Sequence, residues 1–585
     1  MKNAIVPGSA GAARMGGYML KESGMKERYI ILMEKSLSAY TDAHILRYFN
    51  EVKANGLTEH GFPRLTANIG ILIAHGRRKD LLPLFTEMMD LCCDMFLRPY
   101  VNAANEFSVR EIVCCIDALE KARAMEEACL LHWKQKISQI IPEACYNFVV
   151  RQETDRITNW AIFGAVSEYA RVRFGLGENH AFIDRQLSCQ FQWLDENGMY
   201  RDNAKEIPHQ PIMYDYVSRG LFAMLLHFGY RGKYYARIDD YLRKSGLLTL
   251  KMQSSNGEIP FGGRSNQFVH NEAWMMVLFE YEARRYTREG NAALAAVFKS
   301  ASARALDVTE AWLNKAPIRH IKNRFPTETK YGCENYAYFD KYMITVASFL
   351  YAAYLLCDES IPTVRVPDHA PVAFQTSHHF HKVFLKSGGY AVEFDTNADP
   401  KYDASGLGRV HREDAPSAIC LSLPCPSHPV YTLDLEEPMA LSICPGIPED
   451  GAWRFATEPA VTYEVTALSE EASSAHTAVL CRFSPEKCVE MRCEVSAGGV
   501  ALTLNGDGEL ACLLPAFSFD GEVSTEIRVD GPCLTVSYNG WICRYTVDGT
   551  ILDTGRLAAN RNGHYRAFLA TAQDTLHVNI EIVKV

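Results

Sequence analysis

The sequence has no run of eighteen or more consecutive apolar residues, so nothing in it reads as a membrane-spanning helix. Its opening stretch, MKNAIVPGSAGAARMGGYML, lacks the apolar core of a secretory signal. There is no basic block, and the formal net charge is −10, which argues against a nucleic-acid partner. No Cys-x-x-Cys pair or zinc-type spacing occurs among the eighteen cysteines. Cys92–Cys93 and Cys114–Cys115 sit in apolar helical patterns and read as core thiols. Scattered cysteines without a secretion signal lead to the expectation of a cytoplasmic protein. Also missing are a Walker loop, a strand–GxGxxG–helix, a G-x-S-x-G elbow and an H-E-x-x-H pair. No cofactor and no metal are expected. The His378-His379-Phe380-His381 run stands alone and needs a further ligand to hold an ion.

What remains is a globular composition, 48% apolar and 22% charged, in 585 residues. That length exceeds one core. Residues 28–361 read as helices, with apolar residues recurring at three and four in segments such as LLPLFTEMMDLCCDMF, YDYVSRGLFAMLLHFGY and NEAWMMVLFEYEARRY. The faces are wide enough to pack on two sides. Helices alternate with long polar loops and short turns, and no repeat of about 34 or 40 residues appears. This rhythm predicts an α/α toroid of about six helix pairs, preceded by an N-terminal extension, residues 1–27. At 362–373 the grammar changes: Pro362, Pro367 and Pro371 leave an extended linker. From 374 to 585 period-two segments separated by Gly, Asn and Asp turns predict an antiparallel β-sandwich. Its exposed strand edges suggest a homo-oligomer.

In a toroid the loops entering the inner helices surround a central cleft. The richest is GEIPFGGRSNQFVHNEAW, residues 257–274. Gly262–Gly263 permits a tight turn, Arg264 offers a planar fork for a carboxylate, and Asn266 and Gln267 suit sugar hydroxyls. His270 and Glu272 open the next helix. A second candidate is Tyr214, Asp215 and Tyr216 at the mouth of another helix; tyrosine stacks on sugars and moves protons. Asn159–Trp160 opens a third, with Asp155 and Arg156 upstream. Weaker clusters are Glu59, His60 and Arg64; Asn105, Glu106 and Arg110; and Glu334, Asn335, Tyr336 and Asp340. In the β part, residues 401–417 carry Asp403, Arg409, His411 and Arg412, a polar segment read as reaching over the cleft.

The segments TNWAIF, ENGMYRD, PIMYDYVSRGLF and NGEIPFGGRSNQF resemble the heparinase II/III-like polysaccharide lyases and their relatives, including the β-glucuronidases of glycoside hydrolase family 154. The resemblance covers nearly the whole chain. It implies an α/α toroid joined to a β-sandwich and a uronate-containing oligosaccharide as substrate. Two departures stand out. The Asn-Asn-His run of the heparinase-type lyases reads Thr158-Asn159-Trp160 here, and their metal segment reads Gly408-Arg409-Val410-His411-Arg412.

Three readings follow. A β-glucuronidase-type hydrolase needs two carboxylates, and Glu272 with Asp215 is the expected pair. The alternative is a lyase acting by β-elimination. Asn159 and Arg264 would then neutralise the uronate carboxylate, and Tyr214 or His270 would be the base. Substrate contacts are expected from Trp160, Asn266, Gln267, Glu334, Tyr336, Arg409 and His411. The third reading is a non-catalytic glycan-binding protein.

Overall fold

A computed structural model describes residues 24–98, 104–146, 158–203, 209–337, 339–364 and 369–585, with residues 339 and 340 by backbone alone. The expected N-terminal extension up to residue 23, together with Asp155, Arg156, Pro367 and the Asp340 side chain, lies outside the described residues.

Six of the described helices form a closed ring: Gly61–Ala74, Val109–Ala122, Asn159–Arg173, Ile212–His227, Val269–Arg288 and Phe339–Leu356. Each packs on the next, and the last packs on the first. Their apolar faces are wide because they have neighbours on both sides. Helix Val269–Arg288 buries seventeen residues, including ten consecutive ones from Ala273 to Glu282. A second helix backs each of the six, as Ala292–Leu313 backs Val269–Arg288 and Glu127–Ser138 backs Val109–Ala122. These outer helices are one-sided: Glu127–Ser138 buries only Leu130, Trp133 and Ile137, spaced at three and four. The result is an α/α toroid. Long loops lead into inner helices and short turns lead out; residues 253–268 enter Val269–Arg288, whereas Glu289–Asn291 leave it. The inner helices therefore all begin at one end of the ring. No described helix is long and apolar enough to cross a membrane, and none of the eighteen cysteines forms a disulfide.

The β half is an antiparallel sandwich. Strands β1 (Val372–Gln375), β2 (Lys382–Ser387), β3 (Tyr390–Asp395) and β4 (Gly406–Arg412) form a four-stranded sheet in that order. An eleven-stranded sheet packs against it. Alternation divides the small sheet cleanly. Val383, Leu385, Val392, Phe394 and Val410 enter the sandwich core with Met491, Val495 and Leu502. Lys382, Lys386, Glu393, Asp395, Arg409 and His411 occupy the opposite face, and all are buried. That face meets the helical half: Lys386 Nζ donates to Leu250 O at 3.3 Å and Arg409 Nη1 to Ile259 O at 2.7 Å. The middle of the segment expected to reach over the cleft is thus strand β4. Asp403, Arg409 and His411 point at the back of the helical loops, whereas Arg412 turns to Ile582 O within the β domain.

Candidate active site

The six inner-helix starts surround a cleft of about 350 Å³. His60 and Arg64, Phe107, Asn159 and Trp160, Met213 and Tyr214, His270, and Lys341 and Tyr342 come from the six junctions in turn. Arg264 and Ser265 enter from the loop before Val269–Arg288, and Tyr336 from the loop before Phe339–Leu356. Because every inner helix presents its N-terminus here, the positive ends of six helix dipoles favour an anion.

Arg264 is the centre of the polar wall. Its Nε donates to the Tyr336 hydroxyl at 3.0 Å, and its guanidinium lies 4.4 Å from the Tyr336 ring centroid and 5.7 Å from that of Tyr214. No carboxylate lies within ion-pair distance of it among the described residues. Ser265 Oγ bonds the Tyr336 hydroxyl and reaches the Tyr214 hydroxyl at 3.4 Å. Burial pushes the Tyr214 phenol up to about 12, even against the pull of Arg264, so it is protonated at neutral pH. His270 is 4% exposed, its ring stacks 5.3 Å from Phe268, and its Nδ1 has no hydrogen-bond partner. Burial, with the nearby cationic side chains, lowers it to about 3, which leaves a neutral imidazole.

Asn159 is fixed from behind. Thr158 caps its helix, and its backbone N–H donates to Asp202 at 2.6 Å. Burial raises the Asp202 carboxyl to about 7. Trp160 meets Phe107 edge to face at 5.0 Å, giving the cleft an aromatic floor. Glu59 is the only carboxylate lining the cleft among the described residues. It is held by Lys341 at 3.7 Å and by the Tyr48 hydroxyl.

The expected hydrolytic pair is not assembled. Glu272 has no exposed surface; its carboxylate pairs with Lys322 and accepts the Ile259 N–H at 3.2 Å. Burial raises its pKa, with Glu258 on the far side of Lys322 adding to the rise. Asp215 is equally buried, gripped by Arg219 Nε at 2.8 Å and by Tyr200 N at 2.7 Å. Neither lines the cleft. The reason is helical geometry: residues two apart lie on nearly opposite faces, so His270 facing inward sends Glu272 away.

Five expected substrate contacts also serve elsewhere. Asn266 donates to Pro260 O at 3.0 Å and accepts from Gln267, tying their loop together. Arg409 holds Ile259 O and Ser422 O, and His411 bonds Ser254 Oγ at 3.1 Å. Glu334 is buried against Arg561. Among the described residues no group of three or more His, Cys, Asp or Glu side chains is arranged to hold a metal; His381 pairs with Asp395 at 2.7 Å. Sequence reasoning missed Ser265, Tyr342 and Lys341 in the cleft, and Asp202, Lys322 and Arg561 behind it. Ser265 and Asp202 lie inside segments singled out above, GGRSNQF and ENGMYRD, and Arg561 lies in the polar turn Asn560-Arg561-Asn562-Gly563 inside otherwise alternating strands.

No family model matches the chain, and neither does any curated protein. Solved structures do resemble it. A heparinase III gene product superposes with a TM-score of 0.50 at 8% identity, covering 89% of this chain and 77% of that one. Another heparinase III gives 0.49 at 9% identity, with the same coverage. The chondroitin AC lyase of Streptomyces coelicolor gives 0.39 at 10%, covering 94% of this chain and 82% of that one. The first likeness shows a shared fold, helical toroid followed by β sheets. The two lower scores add no argument.

Proposed function

We propose that this chain is a uronate-specific carbohydrate lyase that breaks a glycosidic bond by β-elimination. The observation that carries the reading is Arg264, a half-buried guanidinium without an acidic partner among the described residues, facing a cleft that offers Asn159, Tyr214 and His270 but no pair of free carboxylates. Arg264 and Asn159 bind the uronate carboxylate. The neutral His270 imidazole on the cleft wall takes the proton from C5. The C5–H electron pair delocalises into the carboxylate as an enolate, which Arg264 and the helix N-termini stabilise. The double bond then forms between C4 and C5, the C4–O bond breaks, and the Tyr214 hydroxyl protonates the leaving oxygen. The fold shared with a heparinase III gene product supports this reading.

The β-glucuronidase reading requires two carboxylates on the reacting sugar. Glu272 and Asp215 are committed to Lys322 and Arg219 instead. The test is to incubate the protein with uronate-containing oligosaccharides. A new ultraviolet absorbance from a 4,5-unsaturated uronate is expected. Release of free uronic acid without that absorbance sinks the lyase assignment in favour of hydrolysis. Binding without any cleavage favours a non-catalytic protein.

A further inference from the structure

We propose that Arg561, carried by the β domain, is a positioning residue for the cleft, acting through Glu334 on the Arg264–Ser265 corner; its place in a reaction rests on the lyase reading above. Arg561 is fully buried and rigidly placed. Its Nη1 donates to Gly332 O at 2.6 Å and to Glu334 Oε2 at 2.8 Å, and its Nη2 donates to Glu334 Oε1 at 2.7 Å. The Tyr431 ring lies 4.1 Å from the guanidinium, and Asn323 holds the Arg561 carbonyl at 2.9 Å. This bidentate grip fixes both carboxylate oxygens of Glu334. Burial alone would raise the Glu334 carboxyl, but Arg561 holds it below its ordinary value, so it stays ionised.

One of those oxygens does a second job. Glu334 Oε1 also accepts the backbone N–H of Ser265 at 2.8 Å. Ser265 sits at a φ of +62°, a left-handed conformation that a residue with a Cβ adopts only under constraint. From that corner Ser265 Oγ touches the hydroxyls of Tyr336 and Tyr214, and the preceding residue is Arg264. One carboxylate oxygen therefore couples a β-domain arginine to the cation and both tyrosines of the cleft.

The experiment compares the full chain with Arg561→Lys, which keeps the charge but loses the fork, and with Glu334→Gln. The glutamine keeps an acceptor for Ser265 but weakens the grip of Arg561. The first readout is amide hydrogen exchange on the free proteins. The Ser265 amide should exchange at least about tenfold faster in both variants, while the strands of the eleven-stranded sheet keep wild-type rates. The second readout is competition by a uronate oligosaccharide and by its carboxyl-reduced, neutral counterpart. The preference for the uronate should fall about tenfold, with affinity for the neutral sugar unchanged. Wild-type exchange at Ser265 together with an unchanged preference, in whichever variant folds, overturns the proposal. If the wild type never eliminates but Ser265 exchange still accelerates, the lyase reading fails and the clamp stands.

Discussion

Arg264 and Glu272 lie eight residues apart and are both withdrawn from bulk water, yet they meet opposite electrostatic surroundings. The Arg264 guanidinium rests on the Tyr336 ring with room in front of it, whereas the Glu272 carboxylate is closed off by Lys322 and the Ile259 N–H. A fork that develops its full bond only against an enolate contributes most in the transition state. Arg264→Lys keeps the charge but not the planar pair of donors. It is expected to lower turnover on uronate substrates by about 10²- to 10³-fold with an unchanged melting temperature; steady-state kinetics beside thermal melts check this. Glu272→Gln should do the reverse. It leaves Lys322 with Glu258 alone, so the protein should melt at a lower temperature, by about 1–3 kcal/mol of stability. The surviving folded enzyme should keep its turnover number. A Glu272→Gln variant that folds normally and is inactive would restore the two-carboxylate mechanism.

The element that builds this site is the loop from Gln253 to Phe268, and it is held almost entirely from behind. Arg409 holds Ile259 O, Glu393 accepts Phe261 N at 3.1 Å, Asp403 accepts Gly263 N at 2.6 Å, and Glu334 accepts Ser265 N. Gly263 has a φ of +72°, and an added Cβ would lie 3.2 Å from Pro211. Gly263→Ala is therefore expected to cost about 1–2 kcal/mol through the left-handed backbone alone. It should also shift Arg264, so kcat/KM on uronate substrates should fall more steeply than stability; equal activity in the folded variant refutes this placement. The density of Gly, Arg, Asn, Gln and His made this loop legible in the sequence, as did the junction positions of Asn159, Trp160, Tyr214 and Tyr336. The division into toroid and sandwich was legible from the change of period. The direction of each side chain was not. Asp215 and Arg219, four apart on one helix, are an ion pair whose spacing is visible in the sequence. The commitment of Glu272 to Lys322, or of Glu334 to Arg561, joins segments 50 and 227 residues apart, and no local pattern encodes such a pairing.

For the whole molecule, the consequential feature is the charged layer between toroid and sandwich. Its carboxylates divide into two classes. Glu258 and Asp395 would be raised by burial, but Lys322 and Lys382 hold both below their ordinary values. Each contributes stability that is present above its unfolded pKa and is lost as pH falls through the folded one. Asp403 and Glu393 behave oppositely. Burial raises Asp403 to about 6 and Glu393 to about 7, despite neighbouring cations. Between an unfolded value of about 4 and these folded values, the native state binds protons that the unfolded chain releases, so stability falls as pH rises through that window. The interface should accordingly be most stable on the mildly acidic side of neutrality. Asp403→Asn keeps an acceptor for the Gly263 N–H while removing the titration. Its melting temperature relative to the wild type should climb between about pH 4 and pH 6 and then stay level. Glu393→Gln should show the same climb extended to about pH 7. Melting curves that run parallel to the wild type across this range would mean that both carboxyls titrate normally in the fold, and that water enters the layer between the two domains.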